Sequence, residues 1–190
     1  MLDAALAGRL RLVGFDVDGV LTDGGVYLGR VGDHAVELKR FDIQDGLAVK
    51  LLRAAGITVV LVSGRTSEAT TLRAREIEVD EVVQDDAAQK LPAFEALLAR
   101  RAIRFEECAF AGDDLADLPL LRRVALPIAV ANAVAEVKAL AHYVTAAPGG
   151  HGAAREIAET ILKARGAWDG LVRQYLEERG DAARLGTRAR

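Results

Sequence analysis

Short apolar runs alternate with stretches of helical spacing along most of the chain. The runs predict strands at Leu10–Val17, Thr58–Val62, Glu81–Gln84, Cys108–Ala111, Pro127–Val130 and Tyr143–Thr145. Most are apolar along their middle rather than alternating, as a strand buried on both faces must be. Between them lie predicted helices near Ile43–Ala55, Ser67–Ile77, Leu91–Arg101, Leu115–Arg123, Val134–Ala141 and Ala153–Arg165. Helical recurrence is visible in Leu47, Leu51 and Ala54, and in Phe94, Leu97 and Leu98. A last helix carries Leu171, Tyr175 and Leu176 and runs to Gly180, with Trp168 anchoring it to the body or to a neighbour. Strands that alternate with helices predict an α/β fold, a doubly wound, mostly parallel sheet covered on both faces. Residues 1–167 read as a single domain and 168–190 as a C-terminal helix and flexible tail.

One segment breaks the alternation. From Gly24 to Phe41, Val26-Tyr27-Leu28 and Ala35-Val36-Glu37-Leu38 flank a turn rich in Gly and Asp. This predicts a β-hairpin inserted directly after the first strand. A lone two-stranded hairpin is marginally stable in water, so it should lean on the main body or on a neighbouring subunit.

Composition narrows the picture. With 51% hydrophobic but only 5% aromatic residues, the core must be built mainly from Val, Leu, Ile and Ala. A formal net charge of −3 gives no support for a broad nucleic-acid surface. The basic residues Arg184, Arg188 and Arg190 gather at the tail. A single cysteine, Cys108, excludes an internal disulfide, and its apolar strand predicts an inert core residue. No apolar run approaches the ~20 residues of a membrane span, and the N-terminus lacks a signal-peptide pattern, so a cytoplasmic protein is expected. His34, His142 and His151 are scattered without metal-ligand spacing.

Ligands of open α/β sheets bind at the carboxyl ends of strands. Four such ends are polar here: Asp16/Asp18, Ser63-Gly64-Arg65, Gln84-Asp85-Asp86 and Gly112-Asp113-Asp114. The first strand ends in Asp16, Asp18 and Asp23, with Gly19 permitting a sharp turn. Carboxylates packed this closely repel and are costly to desolvate, and a hard divalent cation such as Mg²⁺ removes both problems. Taken singly, each piece has a plainer reading. Ser63 could cap the following helix, Lys90 could be a surface lysine, and Gly112-Asp113-Asp114 could be an Asx-turn loop. The loop Pro148-Gly149-Gly150-His151-Gly152 reads equally as an anion-presenting turn before a helix or as a flexible turn.

The ordered set Asp16-x-Asp18, Ser63, Lys90 and Gly112-Asp113-Asp114 with Asp117 resembles the haloacid-dehalogenase superfamily of phosphotransferases from Leu10 to about Asp117. The resemblance implies Asp16 as nucleophile, forming an aspartyl-phosphate, and Asp18 as general acid and then base. It implies Mg²⁺ on Asp16, the backbone carbonyl of Asp18 and Asp113, with Asp114 and Asp117 orienting these groups. Ser63 would donate to a phosphoryl oxygen and Lys90 would offset charge. Neither Gly24–Phe41 nor Ser63–Lys90 has room for a cap domain.

Within the superfamily, the chain is similar to the small capless branch of 3-deoxy-D-manno-octulosonate 8-phosphate phosphatases. The matching stretches include Glu37-Leu-Lys-Arg-Phe-Asp-Ile-Gln-Asp-Gly and Gly149-Gly-His-Gly-Ala-Ala-Arg-Glu. That resemblance implies a phosphorylated eight-carbon ulosonic acid as substrate, a role in lipopolysaccharide precursor synthesis, and a homotetramer joined through the hairpins. Relatives of the branch act on nine-carbon ulosonates. Arg65, Gly64, Arg73 and Lys39 match positions near the substrate, and an arginine fork suits its carboxylate. Arg155 could close the site or hold the C-terminal segment. Two rival readings are a non-catalytic tetramerisation module and a phospho-receiver domain. The receiver has no need of an acid at Asp18.

Overall fold

Asp3 starts the fold. Its carboxylate accepts the Leu6 N–H at 2.7 Å and caps a short helix, α1 (Ala4–Arg9). The apolar pattern does not predict this helix; the cap residue is its only local signal. In the computed structural model, residues 2–87 and 89–181 are described. The chain continues through β1 (Leu12–Phe15), β2 (Tyr27–Val31), β3 (His34–Leu38), α2 (Ile43–Ala54), β4 (Thr58–Ser63), α3 (Glu68–Ile77), β5 (Glu81–Gln84) and α4 (Lys90–Arg101). It ends with β6 (Cys108–Gly112), α5 (Leu118–Leu121), β7 (Leu126–Ala129), α6 (Ala135–Leu140), β8 (Tyr143–Val144), α7 (Ala153–Ala164) and α8 (Trp168–Glu177).

The main sheet runs β5-β4-β1-β6-β7-β8, all parallel, so β1 is central and the chain winds outward from it to both edges. Every residue of β1, β6 and β7 is buried, which requires cover on both faces. Phe15, Phe94 and Phe110 are the largest wholly buried side chains, and Phe94 meets Phe110 edge to face at 5.9 Å. Helix α2 packs against α7, which also contacts α1 and α8.

Where the apolar pattern and the structure differ, the cause is local. β1 stops at Phe15, although the Asp16 N–H still donates to Ala111 O at 2.9 Å. Beyond it the chain curls so that Leu21 and Thr22 both donate to Val17 O. The single helix expected over Leu115–Arg123 is a 3-10 turn, Leu115–Asp117, followed by the short α5. Pro119 lies in the first turn of α5 and supplies no N–H, and Asp117 is turned into the core.

The hairpin forms its own two-stranded sheet, with Tyr27 paired to Leu38 and Val31 to His34 across a Gly32-Asp33 turn. A lone bridge, Thr22 to Phe41, closes its base. Tyr27, Leu28, Val31 and Leu38 are 60–79% exposed. No described helix is long and apolar enough to cross a membrane. Trp168 packs on the body of its own chain, beneath Arg155 at 5.1 Å and Lys163 at 5.2 Å. Arg155 thus holds the C-terminal helix, and the tail arginines 184, 188 and 190 lie outside the described residues.

Candidate active site

The register of β1 decides what meets at the carboxyl end of the sheet. Phe15 pairs with Leu61 on one side and Ala111 on the other, so β1, β4 and β6 end side by side. Asp16 and Asp18 follow β1, Ser63 ends β4, and Asp113 follows β6. Lys90 opens α4 and reaches across to this point. Its Nζ lies 2.7 Å from Asp16 Oδ1 and 2.7 Å from Asp117 Oδ1.

These groups are buried together. Oxygens of Asp16, Asp113 and Asp117 lie within 4.8 Å of one another. Burial foremost, then the charge of Asp117, push the Asp16 carboxyl well above its usual range against the pull of Lys90. The same two causes push Asp113 up to about 6. Burial draws the Lys90 ammonium down, but the charges of Asp16 and Asp117 outweigh it and leave Lys90 above its ordinary value. Fully ionised, three carboxylates facing one ammonium would leave two uncompensated negative charges. A divalent cation matches that excess, and Asp113 Oδ1 is buried without a hydrogen-bond partner, so the donor set fits a hard oxygen-seeking metal. Asp117 is already saturated: it accepts from Lys90, from the Asp113 N–H at 3.0 Å and from the Asp114 N–H at 3.3 Å. It orients the cluster. Asp114 is exposed and turned away, its carboxylate capping Leu115 N–H at 2.7 Å.

The loop after β1 is held by close backbone contact. Gly19 has φ +91°, and a Cβ there would lie 2.0 Å from Asp113 Oδ2. A Cβ on Gly149 would lie 1.9 Å from the Gly19 carbonyl oxygen. Asn132 clasps both: its Nδ2 donates to Gly19 O at 2.9 Å and its Oδ1 accepts the Gly149 N–H at 2.6 Å. The Gly150 N–H goes to Val20 O, so these two amides of the glycine loop brace the site and present nothing to an anion. Sequence patterning misses Asn132, whose partners come from loops distant in the chain. Asp23 caps the start of the hairpin through the Gly25 N–H at 2.9 Å.

Ser63 is buried, and its hydroxyl closes on Arg65, donating to its carbonyl at 3.1 Å and accepting its N–H at 3.2 Å. The cap of α3 is Ser67, not Ser63. Gly64 lies in the same turn. Asp86 and Gln84 accept the Thr66 and Ser67 N–H groups, which explains the polar end of β5. Lys39 Nζ lies 2.7 Å from Asp18 Oδ1, an ion pair off the line of a hydrogen bond. Arg65 reaches Glu37 at 2.9 Å. Arg73, expected near the substrate, is engaged within its own chain. It is buried, donates to Asp42 O at 2.6 Å, pairs with Glu76 at 2.9 Å and lies over Phe41. Cys108 is buried and its thiol is pushed up to about 12, chiefly by burial, so it stays an unreactive core group.

Comparison with known proteins agrees with this geometry. Residues 83–157 match the haloacid dehalogenase-like hydrolase family. The chain is 38% identical over 166 residues to 3-deoxy-D-manno-octulosonate 8-phosphate phosphatase KdsC of Yersinia pestis, covering 87% of each. A probable YrbI family phosphatase from Pseudomonas syringae pv. phaseolica superposes with TM-score 0.84 at 40% identity, over 91% of this chain and 96% of that one. The 3-deoxy-D-manno-octulosonate 8-phosphate phosphatase of Moraxella catarrhalis, solved with magnesium, phosphate and KDO, gives TM-score 0.84 at 34% identity, over 90% and 97%. With similarity over 87–90% of its length, a central Asp16/Lys90/Asp113 cluster and a capless parallel sheet, the chain belongs to the 3-deoxy-D-manno-octulosonate 8-phosphate phosphatase family of haloacid dehalogenase-like hydrolases.

Proposed function

We propose that this chain is a Mg²⁺-dependent phosphatase that hydrolyses the phosphomonoester of 3-deoxy-D-manno-octulosonate 8-phosphate in lipopolysaccharide precursor synthesis. The observation that carries the reading is the buried cluster of three carboxyl groups at the end of β1, gripped by one lysine. Asp16, Asp113 and the backbone carbonyl of Asp18 would hold Mg²⁺. When bound, the ion polarises the phosphoryl oxygens and offsets their charge.

The chain's own residues do the rest. A carboxylate oxygen of Asp16 attacks phosphorus in line, forming an aspartyl-phosphate as the ester P–O bond breaks. Asp18 delivers a proton to the departing sugar alkoxide, then takes one from the water that attacks the aspartyl-phosphate and regenerates Asp16. Lys90 fixes the orientation of Asp16 by holding Oδ1. Ser63, opened from Arg65, donates to a phosphoryl oxygen, with Gly64 keeping that turn small. Arg65 and Lys39 meet the sugar acid, and the guanidinium fork of Arg65 suits its carboxylate.

A single reducing-compartment cysteine, buried, agrees with a cytoplasmic setting. The apolar hairpin supports assembly into a homotetramer, with neighbouring subunits covering the open sites. Steady-state kcat/KM with Mg²⁺ on eight-carbon, nine-carbon and simple sugar phosphates tests the reading. The eight-carbon ester should be preferred. Preference for the nine-carbon ester would move the chain to a sialic-acid-like substrate, and no turnover of any ester would leave a tetramerisation module.

A further inference from the structure

Glu37 is the last residue but one of β3, and its carboxylate is a junction. Oε2 accepts from Arg65 Nη2 at 2.9 Å, Oε1 accepts from Ser67 Oγ at 2.7 Å, and Lys39 Nζ lies 3.5 Å from Oε1. The bond from Ser67 is the main reason that its carboxyl lies below its ordinary value. Little else needs this junction. The Ser67 and Thr66 amides are already held by Gln84 and Asp86, and the hairpin strands pair with each other. What the carboxylate changes is Arg65. That side chain is 49% exposed, and among the described residues its one ion pair is with Glu37.

A free, exposed arginine must give up rotamer freedom when it grips a ligand. A guanidinium carries five donors, so one bond to Glu37 anchors the fork and leaves the others to a ligand. Lys39 answers the charge problem this raises. Glu37 faces Arg65 and Lys39, and Lys39 also answers Asp18, so two cations offset the two carboxylates of the junction. We propose that Glu37 is a positioning residue that fixes Arg65 for the carboxylate of an ulosonate phosphate, joining the hairpin to substrate binding. The inference rests on the phosphatase reading given above and extends it to a residue outside the reacting groups.

Glu37→Ala should raise KM for the eight-carbon ulosonate phosphate about tenfold, the scale of a charge-assisted bond, with a much smaller change in kcat. Glu37→Gln keeps an acceptor and should lie between wild type and Glu37→Ala. Arg65→Met should show the same loss, and the double variant no more than Arg65→Met alone. KM for p-nitrophenyl phosphate, an ester without a carboxylate, should not follow. Losses that multiply in the double variant, or a KM rise equal on both esters, would overturn the inference. Calorimetry with the free eight-carbon ulosonic acid reads the same brace without turnover. Its Kd should weaken about tenfold in Glu37→Ala, again the scale of one charge-assisted bond. If wild type turns over no ester, the phosphatase reading falls alone, and an unchanged calorimetric Kd sinks the Glu37 assignment.

Discussion

Lys90 holds a single positive charge between two buried carboxylates, and that balance governs the site more than any one acid does. Removing one partner of a buried pair leaves the other charge uncompensated, which costs about 3–5 kcal/mol. Lys90→Met should therefore lower metal-free stability by about that amount in urea unfolding. Mg²⁺ should restore more stability to the variant than to wild type, because the remaining carboxylates gain a cation where they lost one. Turnover should still fall at least about a hundredfold, since Asp16 loses the group that orients it. A variant that unfolds like wild type without metal would remove Lys90 from the charge balance. Asp16, Asp18, Ser63 and Asp113 stand out in sequence because each lies at or just past the end of an apolar strand, where a charged or polar side chain needs a reason, whereas Lys90 stands out only through the superfamily resemblance. Arg73 and Glu37 are not legible. Arg73 resembles a helix-surface charge, yet its partner is the Asp42 carbonyl from another loop. Glu37 reads as the polar face of a strand, and its partners Arg65 and Ser67 come from the turn after β4.

Two elements far apart in sequence carry most of the site's rigidity. The glycine loop before α7 lies against the loop after β1 with no side chain between them, so Gly149→Ala puts a methyl 1.9 Å from the Gly19 oxygen. The backbone must shift, at a cost of about 1–3 kcal/mol, and turnover should fall because Gly19 follows Asp18. Gly8→Ala is the control. Its Cβ meets nothing within 4 Å, and in α1 it should be neutral or stabilising by up to ~1 kcal/mol. Equal unfolding midpoints for the two variants would refute the packing argument. Helix α7 is capped from α2 rather than from its own preceding residue: Asp45 Oδ1 accepts the Arg155 N–H at 2.9 Å. Burial foremost raises the Asp45 carboxyl from 3.8 to about 6, with the Arg155 amide and Arg73 opposing and Asp42 adding to the rise. The folded state therefore binds this proton more tightly than the unfolded chain does. The raised acid's contribution to folding is fully present below about pH 4 and is lost progressively as pH rises from there through about 6. Urea unfolding of wild type and Asp45→Asn should show the difference between them shifting by about 2 kcal/mol in favour of wild type from pH 7.5 to 4.5. Parallel pH profiles would contradict the assignment. The helix positions were readable from periodicity, but the cross-helix cap was not, because Asp45 falls within the first turn of α2 and resembles an ordinary N-terminal acid.

At the scale of the whole molecule, the alternation of strands and helices announces a parallel sheet, but not that β1 is flanked by β4 and β6. It is this order that turns four separate polar strand ends into one cluster plus one structural brace at β5. The hairpin is the opposite case, visible in sequence as an interruption and unfinished in the single chain. Pairing places Tyr27, Val31, Val36 and Leu38 on one face, and of these Tyr27, Val31 and Leu38 are 60%, 68% and 64% exposed. The other face carries Leu28 and Glu37, the residue that reaches the active-site turn. Leu28 is itself 79% exposed, so the face opposite Glu37 is free for a neighbour and the Glu37 face reaches the site only through that one residue. Two isolated strands do not hold such an apolar face in water, so its burial against other copies should set both assembly and the order of Glu37. Val31→Glu combined with Leu38→Glu places charge on the free face alone. In analytical ultracentrifugation the wild type should sediment as a tetramer and the double variant as a folded monomer with unchanged far-UV circular dichroism. KM for the ulosonate ester should rise in that monomer, because a loosened hairpin no longer holds Glu37 against Arg65. A double variant that stays tetrameric would move the interface elsewhere, and a monomer with wild-type KM would separate assembly from substrate binding.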